Sequence, residues 1–137
     1  MKLSDLFGKK HVADEIQKPV PYMVLTEFSP YKLFANRRSS SMLSVKLRNL
    51  TKEPLMTSIV VELPNNLSFD QTGITKQREI RLGDVAPNEL KESKVDIFSD
   101  VGTDKGEYTI GITAFAHYRD YGHVLNAIKK KTELEVV

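Results

Sequence analysis

One stretch near the C-terminus decides the fold of this chain, and residues 108–118 read YTIGITAFAHY. Apolar and aromatic side chains recur there at every second position. One side carries Tyr108, Ile110, Ile112, Ala114, Ala116 and Tyr118, and the other carries Thr109, Gly111, Thr113, Phe115 and His117. A period of two predicts a β-strand, and the aliphatic side predicts a face turned toward a core.

The same period continues on both sides of this strand, interrupted by turn residues such as Ser29-Pro30 and Pro64-Asn65-Asn66. Further strands are predicted over residues 22–28, 31–35, 43–49, 59–63, 80–82 and 90–98. Residues 119–122 read RDYG and predict a hairpin turn. The last segment, residues 123–137, is predicted as a strand; a short helix over residues 124–129 is the alternative. The pattern predicts an all-β, immunoglobulin-like antiparallel β-sandwich of seven to eight strands over residues 21–137.

Composition narrows the class of protein. The 137 residues fit one domain, and the 40% hydrophobic and 28% charged residues are typical of a globular chain. The absence of cysteine excludes disulfides and thiol chemistry. The net charge of +2 is no strong signal for nucleic acid. The sequence shows no signal peptide and no transmembrane segment, so a cytoplasmic location is predicted.

The first twenty residues form a predicted N-terminal leader that is partly helical. Leu3, Leu6 and Phe7 share one helical face, and Pro19 and Pro21 end any helix. Two interpretations remain open. The leader is either a partly ordered extension or a docking segment for a partner, a second copy or a membrane surface.

Several short motifs together point to a known family. They are Val45-x-Leu47-x-Asn49-Leu50-Thr51, Ile59-Val60-Val61-Glu62-Leu63-Pro64, Leu82-Gly83-x-Val85-x-Pro87-x-Glu89 and Gly106-x-Tyr108. Residues 22–137 resemble the prokaryotic, archaeal or bacterial, immunoglobulin-like domains of the CARDB (cell-adhesion-related) type. The resemblance implies a turn begun by Asn49, a corner between sheets shaped by Gly83 and Pro87, and a tyrosine corner at Tyr108. Members of that family are mostly extracellular repeats, which implies an adhesive role.

No catalytic or metal site is predicted, and no cofactor. His117 and His123 flank the predicted turn that contains Asp120, and a metal or acid–base site requires them to converge. We expect exposed, unpaired histidines instead. Ser39, Ser40 and Ser41 lack the neighbouring motifs of a nucleophile and are interpreted as loop hydroxyls. The chain is therefore predicted not to be an enzyme.

An outward aromatic side chain points to binding. Phe115 lies on the non-core face of the best strand, which predicts a covered or partner-binding face together with His117 and Tyr121. We therefore predict a protein–protein interaction or assembly module, with an unknown protein partner or a second copy of the chain. The predicted interaction surface comprises Leu3, Leu6, Phe7, Phe115, His117 and Tyr121.

The alternative function is a peripheral membrane or single-stranded nucleic-acid adaptor. It would use the leader and three basic clusters, which are Lys9-Lys10, Arg37-Arg38 and Lys129-Lys130-Lys131. Lysines on edge strands also have a simpler interpretation, since they protect a sheet edge from aggregation.

Overall fold

The structure is a computed structural model that describes residues 20–137. That range contains eight β-strands and no helix. The strands are β1 (Tyr22–Ser29), β2 (Lys32–Leu33), β3 (Ser39–Asn49), β4 (Leu55–Glu62), β5 (Gln77–Val85), β6 (Leu90–Ser99), β7 (Gly106–Tyr118) and β8 (Asp120–Val136). The leader residues Leu3, Leu6 and Phe7 lie outside the described residues.

The strands form two sheets that pack face to face. One sheet has the order β1-β3-β6 and the other has the order β2-β8-β7-β4-β5. Every pairing is antiparallel except that of β2 with β8, which joins Lys32 to Glu135 and Leu33 to Val136. The chain changes sheet at every connection from β1 to β4 and again on both sides of β6, whereas the β4–β5 and β7–β8 connections stay within the five-stranded sheet. The predicted immunoglobulin-like sandwich is confirmed.

The core lies between the two sheets and follows the predicted alternation. On β7 the side chains of Ile110, Ile112, Ala114 and Ala116 are buried, as predicted. The facing sheet contributes apolar side chains from β1, β3 and β6 in the same way. The largest fully buried side chains are Tyr22, Leu33, Leu43, Leu47, Ile59, Leu67, Ile97, Ile110, Ile112 and Leu134. Burying one aliphatic side chain of this size contributes about 1.5–3 kcal/mol.

The predicted tyrosine corner and the predicted turn at Asn49 are confirmed by hydrogen bonds. The Tyr108 hydroxyl donates to the main-chain carbonyl of Asp104 at 2.7 Å, which makes the tyrosine corner at the start of β7. Asn49 ends β3 with its side chain fully buried. Its amide donates to the carbonyls of Glu53 and Val85 at 2.8 Å each, and its Oδ1 accepts from the Thr51 main chain at 2.8 Å. Asn49 therefore holds together three segments at this end of the sandwich.

Three local predictions are corrected. The predicted four-residue turn at 119–122 is wrong, because the chain reverses around Arg119 (φ 70°) and β8 already begins at Asp120. β5 does not stop at Gly83 but passes through a β-bulge there, with φ 73° at the glycine, and continues to Val85. Ser39, Ser40 and Ser41 belong to β3 rather than to a loop. The predicted strand over residues 123–137 is confirmed, and the helical alternative for residues 124–129 is wrong.

We expect Asn49→Ala to lower the free energy of unfolding by about 2–3 kcal/mol, because the buried carboxamide loses its bonds to the Glu53 and Val85 carbonyls and to the Thr51 main chain. Denaturation in urea measures the change. Asn65→Ala is the matched control, since Asn65 is exposed and makes no side-chain hydrogen bond within residues 20–137. Equal stabilities of the two variants would contradict this account of the corner.

Candidate functional site

The predicted surface around His117 proves to be a packed cluster on the outer face of the five-stranded sheet. We call it the outer cluster, and it comprises Ser58, Arg81, Phe115, His117 and Tyr121. His117 is only 6% exposed, and its Nε2 lies 2.7 Å from the Ser58 Oγ on the neighbouring strand. The prediction that His117 is exposed and unpaired is therefore wrong.

Tyr121 is the side chain that covers His117. Its ring meets the His117 ring edge-on, with the centroids 5.0 Å apart. Its hydroxyl accepts a hydrogen bond from the Gly83 main-chain N–H at 3.0 Å, at the β-bulge of β5. The Arg81 guanidinium lies 4.6 Å from the centre of the same ring, within cation–π distance. Tyr121 thus reaches from β8 across β7 and β4 to β5.

The contact between Ser58 and His117 raises the question of nucleophilic catalysis. A catalytic serine needs an accessible hydroxyl and a base that a third group orients. Ser58 is 1% exposed, and the His117 Nδ1 is buried without a hydrogen-bond partner among residues 20–137. The pair therefore bonds two strands of the sheet together and offers no nucleophile to a substrate.

The two histidines of the β7–β8 hairpin do not converge. His123 Nδ1 lies 2.7 Å from Asp120 Oδ1, while His117 bonds to Ser58. The hydrogen bond from His123, followed by that from the Gly122 N–H, lowers the pKa of Asp120. Within residues 20–137 no three His, Asp or Glu side chains come together as metal ligands would.

Phe115 remains partly accessible beside the outer cluster's buried pair. It is half-buried on β7, opposite Ser58 of β4 and Ala127 of β8, and its ring centre lies 6.1 Å from that of His117. Val124, the cross-strand partner of His117, is 51% exposed. The predicted outward direction of Phe115 is confirmed, and an apolar strip remains on this face.

The lysine cluster of β8 does not form a single basic patch. Lys129 lies 3.7 Å from a carboxylate oxygen of Glu62. Lys130 is half-buried, and its Nζ donates to the Val24 carbonyl of β1 at 2.9 Å, across the open side of the sandwich. Adjacent lysines therefore point in different directions, as successive residues of a strand do. Because β2 pairs only with residues 135–136, these lysines lie on an unpaired stretch of β8, where lysines oppose pairing with another strand.

A second surface, which the sequence analysis missed, lies at one end of the sandwich. Tyr31 is 71% exposed, Ile74 is 77% exposed and Val101 is 74% exposed. They come from the β1–β2, β4–β5 and β6–β7 connections, which all lie at the same end. We call these three side chains the loop end. The available signal was an aliphatic residue beside a glycine in two separate turns, Gly73-Ile74 and Val101-Gly102.

The loops that carry Ile74 and Val101 are held by polar contacts. Asp70 accepts hydrogen bonds from the Thr75 Oγ1 at 2.5 Å, the Thr72 Oγ1 at 2.7 Å and the Gly73 N–H at 3.1 Å. These bonds lower the pKa of Asp70 to about 2, with that from Thr75 the largest cause. In the other loop, the buried Thr103 hydroxyl donates to the Asn66 carbonyl at 2.6 Å. The two loops are thereby tied to each other.

Comparison with solved structures places the fold. A fragment of Escherichia coli α2-macroglobulin has a TM-score of 0.63 at 16% identity, covering 85% of this chain and 16% of that one. The CARDB domain of a Pyrococcus furiosus protein, solved with di-metal ions, has a TM-score of 0.51 at 15% identity, covering 85% of this chain and 92% of that one. The fold is that of an immunoglobulin-like β-sandwich, and it is similar to that of this CARDB domain.

A FixG-related protein from Vibrio parahaemolyticus is also similar to this immunoglobulin-like domain, with a TM-score of 0.54 at 13% identity over 86% of this chain and 98% of that one. No family model and no curated protein matches the sequence. The described residues contain no helix that could span a membrane. At these identities the likeness concerns the fold alone.

We expect Asp70→Asn to flatten the acid dependence of stability. The pKa of Asp70 is about 2 in the folded chain against 3.8 as the ordinary value. Its stabilising contribution is therefore present above about pH 4 and is lost as the pH falls toward 2. Urea titrations at pH 5 and pH 2.5 should show a larger loss for the wild type than for the variant.

The control for this comparison is Asp96→Asn. Asp96 is exposed on β6, and its carboxylate makes no hydrogen bond in the described part of the chain. The free energy of unfolding of this variant should change between pH 5 and pH 2.5 as it does in the wild type. Parallel curves for Asp70→Asn and the wild type would contradict the role given to Asp70.

Proposed function

We propose that this domain is a non-enzymatic protein-interaction module that binds its partner through the loop end. One observation carries the proposal. The three most exposed large apolar side chains among residues 20–137 are Ile74, Val101 and Tyr31, and all three project from the same end of the sandwich. Clustered apolar exposure of this kind marks a protein-binding surface more often than scattered single residues do.

The rigidity of the loops supports this proposal. Binding costs free energy for every flexible side chain and loop that becomes ordered. The hydrogen bonds of Asp70 and the Thr103–Asn66 bond already order the segments that carry Ile74 and Val101. A partner would therefore gain apolar contact without ordering these loops. The Ser58–His117 pair is buried and therefore not accessible to a substrate, which supports a role without catalysis. A cytoplasmic location remains a prediction.

Replacing the three side chains of the loop end should remove partner binding. The partner is first captured from a lysate of the source organism, identified by mass spectrometry and purified. Calorimetric titration is then performed with the triple variant Tyr31→Ser, Ile74→Ser, Val101→Ser. We expect the dissociation constant to rise by about 100-fold or more, because each buried apolar anchor contributes on the order of 1–2 kcal/mol.

The matched control carries three serines at the opposite end of the sandwich. Leu50, Leu90 and Val124 are 49%, 45% and 51% exposed, so Leu50→Ser, Leu90→Ser, Val124→Ser removes a comparable apolar surface. This control should bind as the wild type does. The proposal fails if the control loses the partner while the variant of the loop end keeps it.

Self-association through the outer cluster is the second candidate function. It is favoured by Phe115, which is only half-buried, and by the neighbouring exposed Val124. If the chain self-associates in this way, size-exclusion chromatography with light scattering should give a dimer of twice the 15.5 kDa chain mass for the wild type. The Phe115→Lys variant should give the mass of a monomer. Thr113→Lys, on the same face of β7, is the control. Equal masses for the wild type and Phe115→Lys would contradict self-association through the outer cluster.

The leader residues Leu3, Leu6 and Phe7, which lie outside the described residues, stay a predicted docking segment. The membrane or nucleic-acid adaptor likewise stays an alternative. The divergent directions of Lys129 and Lys130 favour it less than the protein-binding role.

A further inference from the structure

A cleft of about 230 Å³ opens beside the loop end, on the outer surface of the three-stranded sheet. It lies where the start of β3, the end of β6 and the loop at residues 68–73 meet. Phe98 occupies the middle of this arrangement. Ser40 is its cross-strand partner on β3, and Ser68 pairs with it on the other side through main-chain hydrogen bonds of 2.8 and 3.1 Å.

Two opposite charges line this cleft without meeting. Arg38 and Asp100 adjoin the terminal Ser39–Ser99 pair of β3 and β6, and both line the cleft at this end of the sheet. Neither takes part in an ion pair within residues 20–137. One oxygen of Asp100 accepts from the Gly102 N–H at 2.8 Å, and the other has no hydrogen-bond donor in the described part. A donor and an acceptor are thus both available beside an aromatic ring.

Two of the other polar side chains of the cleft, Ser40 and Gln71, are exposed and make no side-chain hydrogen bond in the described part of the chain, whereas the rest are bonded. Asp70 accepts its three hydrogen bonds from its own loop. The Ser99 hydroxyl contacts that of Ser39 at 2.5 Å, and the Ser68 hydroxyl donates to the Asp70 carbonyl at 2.5 Å. The charged and aromatic groups that the cleft offers are therefore Arg38, Asp100 and the half-buried Phe98 ring, with the neutral Ser40 and Gln71 side chains beside them.

We propose that this cleft receives one extended segment of the partner protein. A main-chain carbonyl of the segment accepts from Arg38, a main-chain N–H donates to the free oxygen of Asp100, and an apolar side chain packs against Phe98. This inference rests on the proposed function, because it places the partner at the loop end.

Charge complementarity selects this occupant. An anion would face the carboxylates of Asp70 and Asp100, and a cation would face Arg38. A peptide unit is neutral and offers one acceptor and one donor, so it satisfies both sides at once. A sugar ring has similar hydrogen-bonding groups, but the exposed Ile74 and Val101 beside the cleft favour a protein.

The test is a titration of the ¹⁵N-labelled full chain, followed by NMR, with mixtures of acetylated and amidated hexapeptides. One mixture has leucine fixed at the third position and another has alanine there. We expect the leucine mixture to shift the amide signals of Ser40, Gly73 and Gly102, with about tenfold tighter apparent binding than the alanine mixture. Arg38→Gln should weaken that binding about three- to tenfold.

Two further variants make the result specific. Ser40→Tyr places a large side chain in the cleft, beside Phe98, from an exposed position and should abolish the shifts while the Phe98 residue itself is kept. Lys94→Gln, on the outer face of β6 away from the cleft, should leave them unchanged. Thermal unfolding of each variant checks that the domain is folded.

Three outcomes would overturn the inference. They are no shift at these amides with the leucine mixture, unchanged shifts in the folded Ser40→Tyr variant, or the same shifts produced by methyl glucoside in place of peptide. If the triple variant of the loop end still loses its partner in any of these cases, the interaction module stands and only the cleft is wrong. If that variant also keeps its partner, the proposed function fails as well.

Discussion

The pairing of β7 with β4 on one edge and with β8 on the other is the constraint on which the structure depends. This strand of thirteen residues turns Ile110, Ile112, Ala114 and Ala116 toward the three-stranded sheet. Because both edges are paired, its opposite face is fixed as the centre of the outer surface. The core and the outer cluster are therefore two faces of one strand, and a shift of register by one residue would exchange them.

The two ends of the sandwich are stabilised in different ways. Asn49 ties β3 to the main chain of Glu53 and Val85 at one end, through a fully buried side chain. At the other end, Asp70 and Thr103 order loops that leave Ile74 and Val101 exposed. Polar contacts within the loops act there together with the core packing of Leu67 and Phe69. Ile74 and Val101 take no part in that packing and stay available for a partner.

The sequence was enough to predict most of the strands, the tyrosine corner and the outward direction of Phe115. These features depend on the alternation of apolar and polar residues and on contacts between residues close in sequence. The burial of His117 could not. The side chain that covers His117 is Tyr121, which lies near the start of the next strand. Its hydroxyl accepts a hydrogen bond from the main-chain N–H of Gly83, which is 38 residues away. The exposed side chains of the loop end were missed in the sequence analysis for a related reason. Tyr31, Ile74 and Val101 each occupy an ordinary turn, and only the strand order brings those turns to one end.

The sequence by itself determined an all-β sandwich with a buried face on each strand, since a period of two follows from the geometry of an extended backbone. Turn residues such as Asn49 marked the ends of strands for the same local reason. The tertiary structure alone decided which outward residues are covered and which loops lie together. These features depend on pairing between strands far apart in the chain. The alternation of residues within one strand does not indicate which other strand it pairs with.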